Sequence, residues 1–158
     1  MRYIHIFIAS SSELKQERYE LVDLLADLNQ DTFEQQGMKC KPEIWEFWDS
    51  SMREERKEEE YLQRLRICDI CLVLFWRTLG EYTLEELNVA IDEMRAGRLP
   101  KAVFVLYKEP DDSISEELAQ FKERFAERHK SIPVRIFDNY NSLREQVSDI
   151  LKDKIATL

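Results

Sequence analysis

A doubly wound α/β sheet of five parallel strands is the fold this sequence predicts, and three observations predict it. Five short apolar runs alternate with amphipathic stretches along the 158 residues. The third run, Ile70 to Trp76, is apolar on both faces, as a central strand covered by helices has to be. The stretches between runs carry apolar residues three and four apart, the period of a helix with one buried face. Strands joined through helices imply right-handed crossovers. The order 2-1-3-4-5 then sets the first and third strands at the switch point, where a crevice opens outside their carboxyl ends.

The elements follow in order. Ile4 to Ala9 is the first strand, and Leu14, Leu21, Leu25 and Leu28 mark one face of the next helix. Cys40 to Phe47 is a poorer second strand, because Pro42 lacks a backbone donor and suits a sheet edge. A charged helix covers about Met52 to Arg66. After the third strand, Leu84, Leu87, Ile91 and Met94 give the clearest helical stripe. Ala102 to Tyr107 is the fourth strand, followed by a helix with Leu118, Phe121 and Phe125 on one side. Val134 to Phe137 is the fifth, and Leu143, Val147, Ile150 and Leu151 stripe the closing helix. Ser10 with Glu13, Thr83 with Glu86, Ser113 with Glu116 and Ser142 with Glu145 have capping-box spacing and mark expected helix starts. No linker or repeat interrupts this pattern, so one domain over 1–158 is expected.

Composition narrows the function. A formal charge of −9 opposes broad nucleic-acid binding, which needs Lys and Arg to neutralise phosphates. No apolar stretch approaches the roughly 20 residues of a membrane span, and no signal-peptide pattern opens the chain. A cytoplasmic protein without membrane partners is expected. Cys68 and Cys71 have CxxC spacing, but Cys71 falls inside a strand rather than at the helix N-terminus a redox pair uses. His5 and His129 show no metal spacing, so no metal and no resident cofactor are expected. His5 alternates with Tyr3 and Phe7 and reads as a buried, hydrogen-bonded residue. With glycines only at 37, 80 and 97, the chain has neither a P-loop nor a GxGxxG turn.

The crevice end of the third strand carries the chemistry. Glu86 stands in the first turn of a helix beside the crevice, where a carboxylate would stabilise positive charge on a ribose; its other reading is the capping box with Thr83. Glu81 and Glu85 are neighbouring alternatives, Glu85 on the solvent side. Trp76 and Tyr82 are placed to sandwich a ring and Arg77 to meet a phosphate, or else to be an aromatic strand end and a surface arginine. Trp76, Tyr82 and Glu86 are expected to border one cavity. Ser10, Ser11 and Ser12 combine hydroxyls with free backbone N–H groups and would hold an anion, or simply cap a helix. The aromatic and acidic run Trp45-Glu46-Phe47-Trp48-Asp49 ends the second strand across the same crevice, with Trp48 and Asp49 as substrate contacts, or else is an edge strand packing its tryptophans under a loop. The charged run from Arg53 to Glu60 is either a solvated helix face or a self-association surface.

Ile6-Phe7-Ile8-Ala9-Ser10-Ser11, the Leu14 to Arg18 segment, Trp45-Glu46, Cys68-Asp69-Ile70, Leu74-Phe75-Trp76 and Tyr82-Thr83-Leu84-Glu85-Glu86-Leu87 together resemble bacterial TIR-like domains of defence and signalling proteins. The resemblance covers about residues 3 to 95 by motif. It implies the flavodoxin-like fold shared with nucleoside 2-deoxyribosyltransferases, and it implies cleavage of NAD or NADP, as substrate, at the nicotinamide glycosidic bond. The Glu-Leu pair of catalytic TIR domains matches Glu86-Leu87. This chain departs from the pattern at Tyr82-Thr83, where an aromatic-Cys pair often stands, and at Ala9-Ser10-Ser11 in place of Ser-Tyr-Ser. The resemblance also implies activation by assembly, through self-association or fused sensor domains. Two alternatives accompany it: a deoxyribosyltransferase-like enzyme using the carboxylate as nucleophile, and a non-catalytic scaffold that signals by assembling.

Overall fold

The computed structural model describes residues 1–47, 58–109 and 113–158. Five strands, β1 (Arg2–Ser10), β2 (Met38–Glu43), β3 (Ile70–Phe75), β4 (Ala102–Lys108) and β5 (Val134–Phe137), pair in parallel in the order β2-β1-β3-β4-β5. Among the described residues the α-helices are α1 (Lys15–Leu28), α2 (Glu58–Leu65), α3 (Glu81–Arg95), α4 (Glu116–Arg128) and α5 (Tyr140–Ile155). The expected fold and strand order are both found.

All six residues of β3 are buried, because side chains alternate between two covered faces. Ile70, Leu72 and Leu74 pack into the layer under α1 and α5, whereas Cys71, Val73 and Phe75 pack into the layer under α2, α3 and α4. That parity decides which side of the sheet each residue at the crevice reaches. Ser10 is in register with Leu74, so the carboxyl ends of β1 and β3 lie side by side.

The second strand is shorter than expected. The second strand ends at Glu43; Ile44 is fully buried and Trp45–Phe47 form a tight turn closed by Phe47 N–H donating to the Ile44 carbonyl. Pro42 does sit on an edge strand, and Asn29 supports the edge by bonding both backbone groups of Cys40, at 2.9 and 2.7 Å. The charged helix is described from Glu58 onward, and Tyr61, Leu62 and Leu65 bury its inner face; residues 53–57 lie outside the described residues.

Helix starts also differ. Gly80 occupies the N-cap position of α3, so Thr83 and Glu86 lie inside the helix. Ser115 caps α4 by accepting from Leu118 N–H, and Asn139 caps α5 in a reciprocal box with Ser142. The turn Ser12–Leu14 has no side-chain cap; Glu13 instead accepts from the N–H groups of Arg77 and Thr78, tying β1's exit to β3's exit. With 32 acidic residues the Ser/Thr-x-x-Glu spacing recurs by chance, while a cap forms only where the backbone entering the helix is extended.

Candidate active site at the carboxyl ends of β1 and β3

Arg18 is the site's structural centre. It continues the apolar stripe of α1 between Leu14 and Leu21, and it is fully buried. A buried guanidinium is stable only when its donors are met. Here Nε lies 3.0 Å from both carboxylate oxygens of Glu46 and Nη2 lies 2.6 Å from Oε2. Nη1 donates to Ser10 Oγ at 2.5 Å and to the Ser11 carbonyl at 2.9 Å. The guanidinium carbon also sits 5.6 Å from the Trp45 ring centre. One cation thereby joins the end of β1 to the turn after β2.

Glu86 is the sixth residue of α3 and is 5 % exposed. It lines a cavity of about 10 Å³ together with Phe7, Ala9, Ser10, Trp45 and Tyr61, room for roughly one water. Cys71 lies behind it. Burial, and then the charge of Glu86, hold the Cys71 thiol well above its ordinary pKa. Since Gly80 takes the cap position, Glu86 has no capping duty.

Of the residues expected at the site, the structure brings Ser10 and Glu86 to one cavity. Ser11 is adjacent, with a buried hydroxyl that has no partner among the described residues. Its Cβ approaches Gly80 so closely that a Cβ there would sit 3.4 Å away. Trp76 continues the Ile70-Leu72-Leu74 parity and packs on the α1 and α5 side. Its ring centre lies 3.9 Å from the Arg77 guanidinium and 4.0 Å from the Lys108 ammonium, which in turn bonds Glu17 at 2.6 Å. Glu86 hangs on the opposite side, and Tyr82 is 44 % exposed on the first turn of α3. Trp76, Tyr82 and Glu86 therefore do not line one cavity among the described residues. Trp48 and Asp49 lie outside those residues. His5 is half-buried, with Nδ1 3.2 Å from Glu43 Oε1. No cluster of metal-binding side chains occurs among the described residues, and no described helix is long and apolar enough to cross a membrane.

The Arg18–Glu46 pair escaped the reading of the sequence as a site. Its signal was an arginine at the 14, 18, 21, 25 positions of a helix face that is otherwise leucine.

No protein-family model matches the chain, and neither does any curated protein sequence. Solved structures do match in shape. One is a de novo designed Rossmann 2x3 fold protein, 14% identical with a TM-score of 0.51, over 95% of this chain and 90% of that one. Another is the Clostridium botulinum CMP N-glycosidase BcmB, 14% identical with a TM-score of 0.52, over 93% of this chain and 99% of that one. At such identity the likeness is one of fold: the chain is a Rossmann-like, flavodoxin-like α/β protein with a parallel 2-1-3-4-5 sheet.

Proposed function

We propose that residues 1–158 form a TIR-like effector domain that cleaves the N-glycosidic bond of a nicotinamide dinucleotide, with Glu86 stabilising the ribosyl oxocarbenium ion. The observation that carries this reading is a buried carboxylate, released from capping, in a cavity at the carboxyl end of β1. The fold likeness to a CMP N-glycosidase is consistent with this class of bond cleavage.

The chemistry asks little of the protein. The nicotinamide ring of the substrate is bound to the ribose as a pyridinium cation and departs as neutral nicotinamide without needing a proton, taking the C–N bonding pair. One carboxylate facing the anomeric carbon suffices to hold the positive charge left on the ribosyl group, and water adds there with loss of a proton to complete the hydrolysis. Ser10 and Ser11 would engage the sugar or a phosphate, with Arg77 and Tyr82 at the rim. A cavity of about 10 Å³ admits no ribose, so Trp45 or Tyr61 has to withdraw for the substrate to reach Glu86. Assembly of neighbouring domains would be the event that opens it.

The test is product chromatography after incubation with NAD, NADP, CMP and deoxynucleosides at low and high protein concentration. Nicotinamide release per protein molecule that rises with protein concentration and falls about 10²-fold or more in Glu86→Gln supports the reading. Release of cytosine alone would reassign the substrate, base exchange would indicate a deoxyribosyltransferase, and inactivity with self-association intact would indicate a scaffold.

A further inference from the structure

A second cavity, of about 240 Å³, lies between α3 and α4 and shares no lining residue with the Glu86 cavity. Its floor is apolar: Leu79, Leu84, Phe121 and Phe125. The two phenylalanines are part of a run of ring contacts, Phe75 to Phe121 at 5.2 Å, Phe121 to Phe125 at 5.4 Å and Phe125 to His129 at 4.8 Å, which fixes the walls. Its rim carries Arg124, Arg128 and His129.

The charge at this rim runs against the composition. The chain has 32 acidic residues and a formal charge of −9. Yet among the described residues Arg95, Arg124 and Arg128 make no ion pair with a carboxylate. Arg124 has only the carbonyl and side-chain oxygens of its own helical neighbour Gln120, at 3.4 and 3.5 Å. Arg95 Nη2 lies 3.0 Å from His129 Nδ1. A guanidinium only donates, so Nδ1 is the acceptor and the ring's other nitrogen carries the proton and can donate. The groups that act on His129 are Arg95 and Asp92 from α3 and Arg128 from its own helix; burial first, and then the two arginines, hold its pKa below the ordinary histidine value.

We propose that this groove binds a small aromatic carboxylate, its ring on the Phe121–Phe125 floor and its carboxylate on Arg124, Arg128 and His129. The size fits a single ring, since a cavity of about 150 Å³ already admits benzene, whereas a nucleotide needs the larger pockets of typical ligand sites. The charge fits because an arginine fork matches a carboxylate in two parallel bonds. The carboxylate would supply the counter-ion that the described residues do not. This site stands apart from the glycosidase reading and does not depend on it.

Benzoate is the probe, titrated into the intact chain and followed by NMR of the His129 ring and the backbone amides of α4. We expect saturable shifts with a Kd on the order of 1 mM or tighter, and a rise in the His129 pKa on saturation, because an anion beside the ring favours its charged form. Benzamide, which keeps the ring without the charge, and acetate, which keeps the charge without the ring, should each bind at least about 10-fold more weakly. Arg124→Gln and Arg128→Gln, both at exposed positions, should each weaken benzoate about 10-fold while leaving the rest of the spectrum unchanged. The proposal falls if benzamide or acetate matches benzoate, if the double variant binds as well as the parent, if the shifts map away from α3 and α4, or if none saturates below about 20 mM.

Discussion

Replacing Glu46 by Gln should destabilise the protein far more than loss of a surface ion pair, because Arg18 stays behind. The Arg18 side chain is fully buried and that of Glu46 is 6 % exposed. Three of the guanidinium's contacts, at 3.0, 3.0 and 2.6 Å, end on Glu46. Glutamine keeps one oxygen for one of them but brings no charge and turns an NH2 group toward the cation. Stranding a buried charge in this way costs about 3 to 5 kcal/mol, against about 0 to 1 kcal/mol for an exposed pair. For a chain of this size that lowers Tm by roughly 6 to 20 °C, at about 2 to 4 °C per kcal/mol. Urea denaturation of parent and variant, with unchanged m-values, measures the difference. The double variant Arg18→Met/Glu46→Leu removes both charges and should recover most of the loss. A single-variant effect below about 1 kcal/mol would mean that water reaches the guanidinium, and the account of Arg18 as a buried strut between β1 and the turn after β2 would be wrong.

Three other outcomes can be checked directly. Burial pushes the Cys40 thiol up to about 12 and holds those of Cys68 and Cys71 well above the ordinary thiol value, so at pH 8 a thiol reagent should label none of the three cysteines until the protein is unfolded, and then all of them; rapid labelling of the native protein would contradict their burial. Asn139→Ala removes the side chain that accepts from Ser142 N–H at 3.0 Å, which should cost about 1 kcal/mol in chemical denaturation, while Ser113→Ala, outside the α4 cap, should cost less than about 0.5 kcal/mol. Gly97 has φ of +80° just beyond α3, and a Cβ there would meet nothing within 4 Å, so Gly97→Ala should lose about 1 kcal/mol through backbone strain alone; an unchanged midpoint would show that the turn relaxes.

Much of the fold could be read from periodicity, and the reason is local. An apolar run such as Ile70 to Phe75 has to be covered on both faces, and the 84, 87, 91 spacing has to present one face to a sheet, whatever the rest of the chain does. Five such pairings leave few right-handed arrangements, which is why the strand order was legible from one chain. Helix starts were less so: a cap depends on where the preceding backbone is extended, so Gly80, Ser115 and Asn139 act where Thr83, Ser113 and Ser142 had the expected spacing.

The site divides along the same line. That Ser10 and Glu86 meet near the end of β1 follows from strand order and helix position, both written in local pattern. That Trp76 and Glu86 face opposite sides of the sheet depends on the parity with which β3 hands over to its loop, and a single residue of register reverses it. Arg18 and Glu46, 28 residues apart in sequence, carry no motif that links them. Only packing α1 against the turn after β2 excludes water from both, and that exclusion turns an ordinary arginine and glutamate into one buried pair.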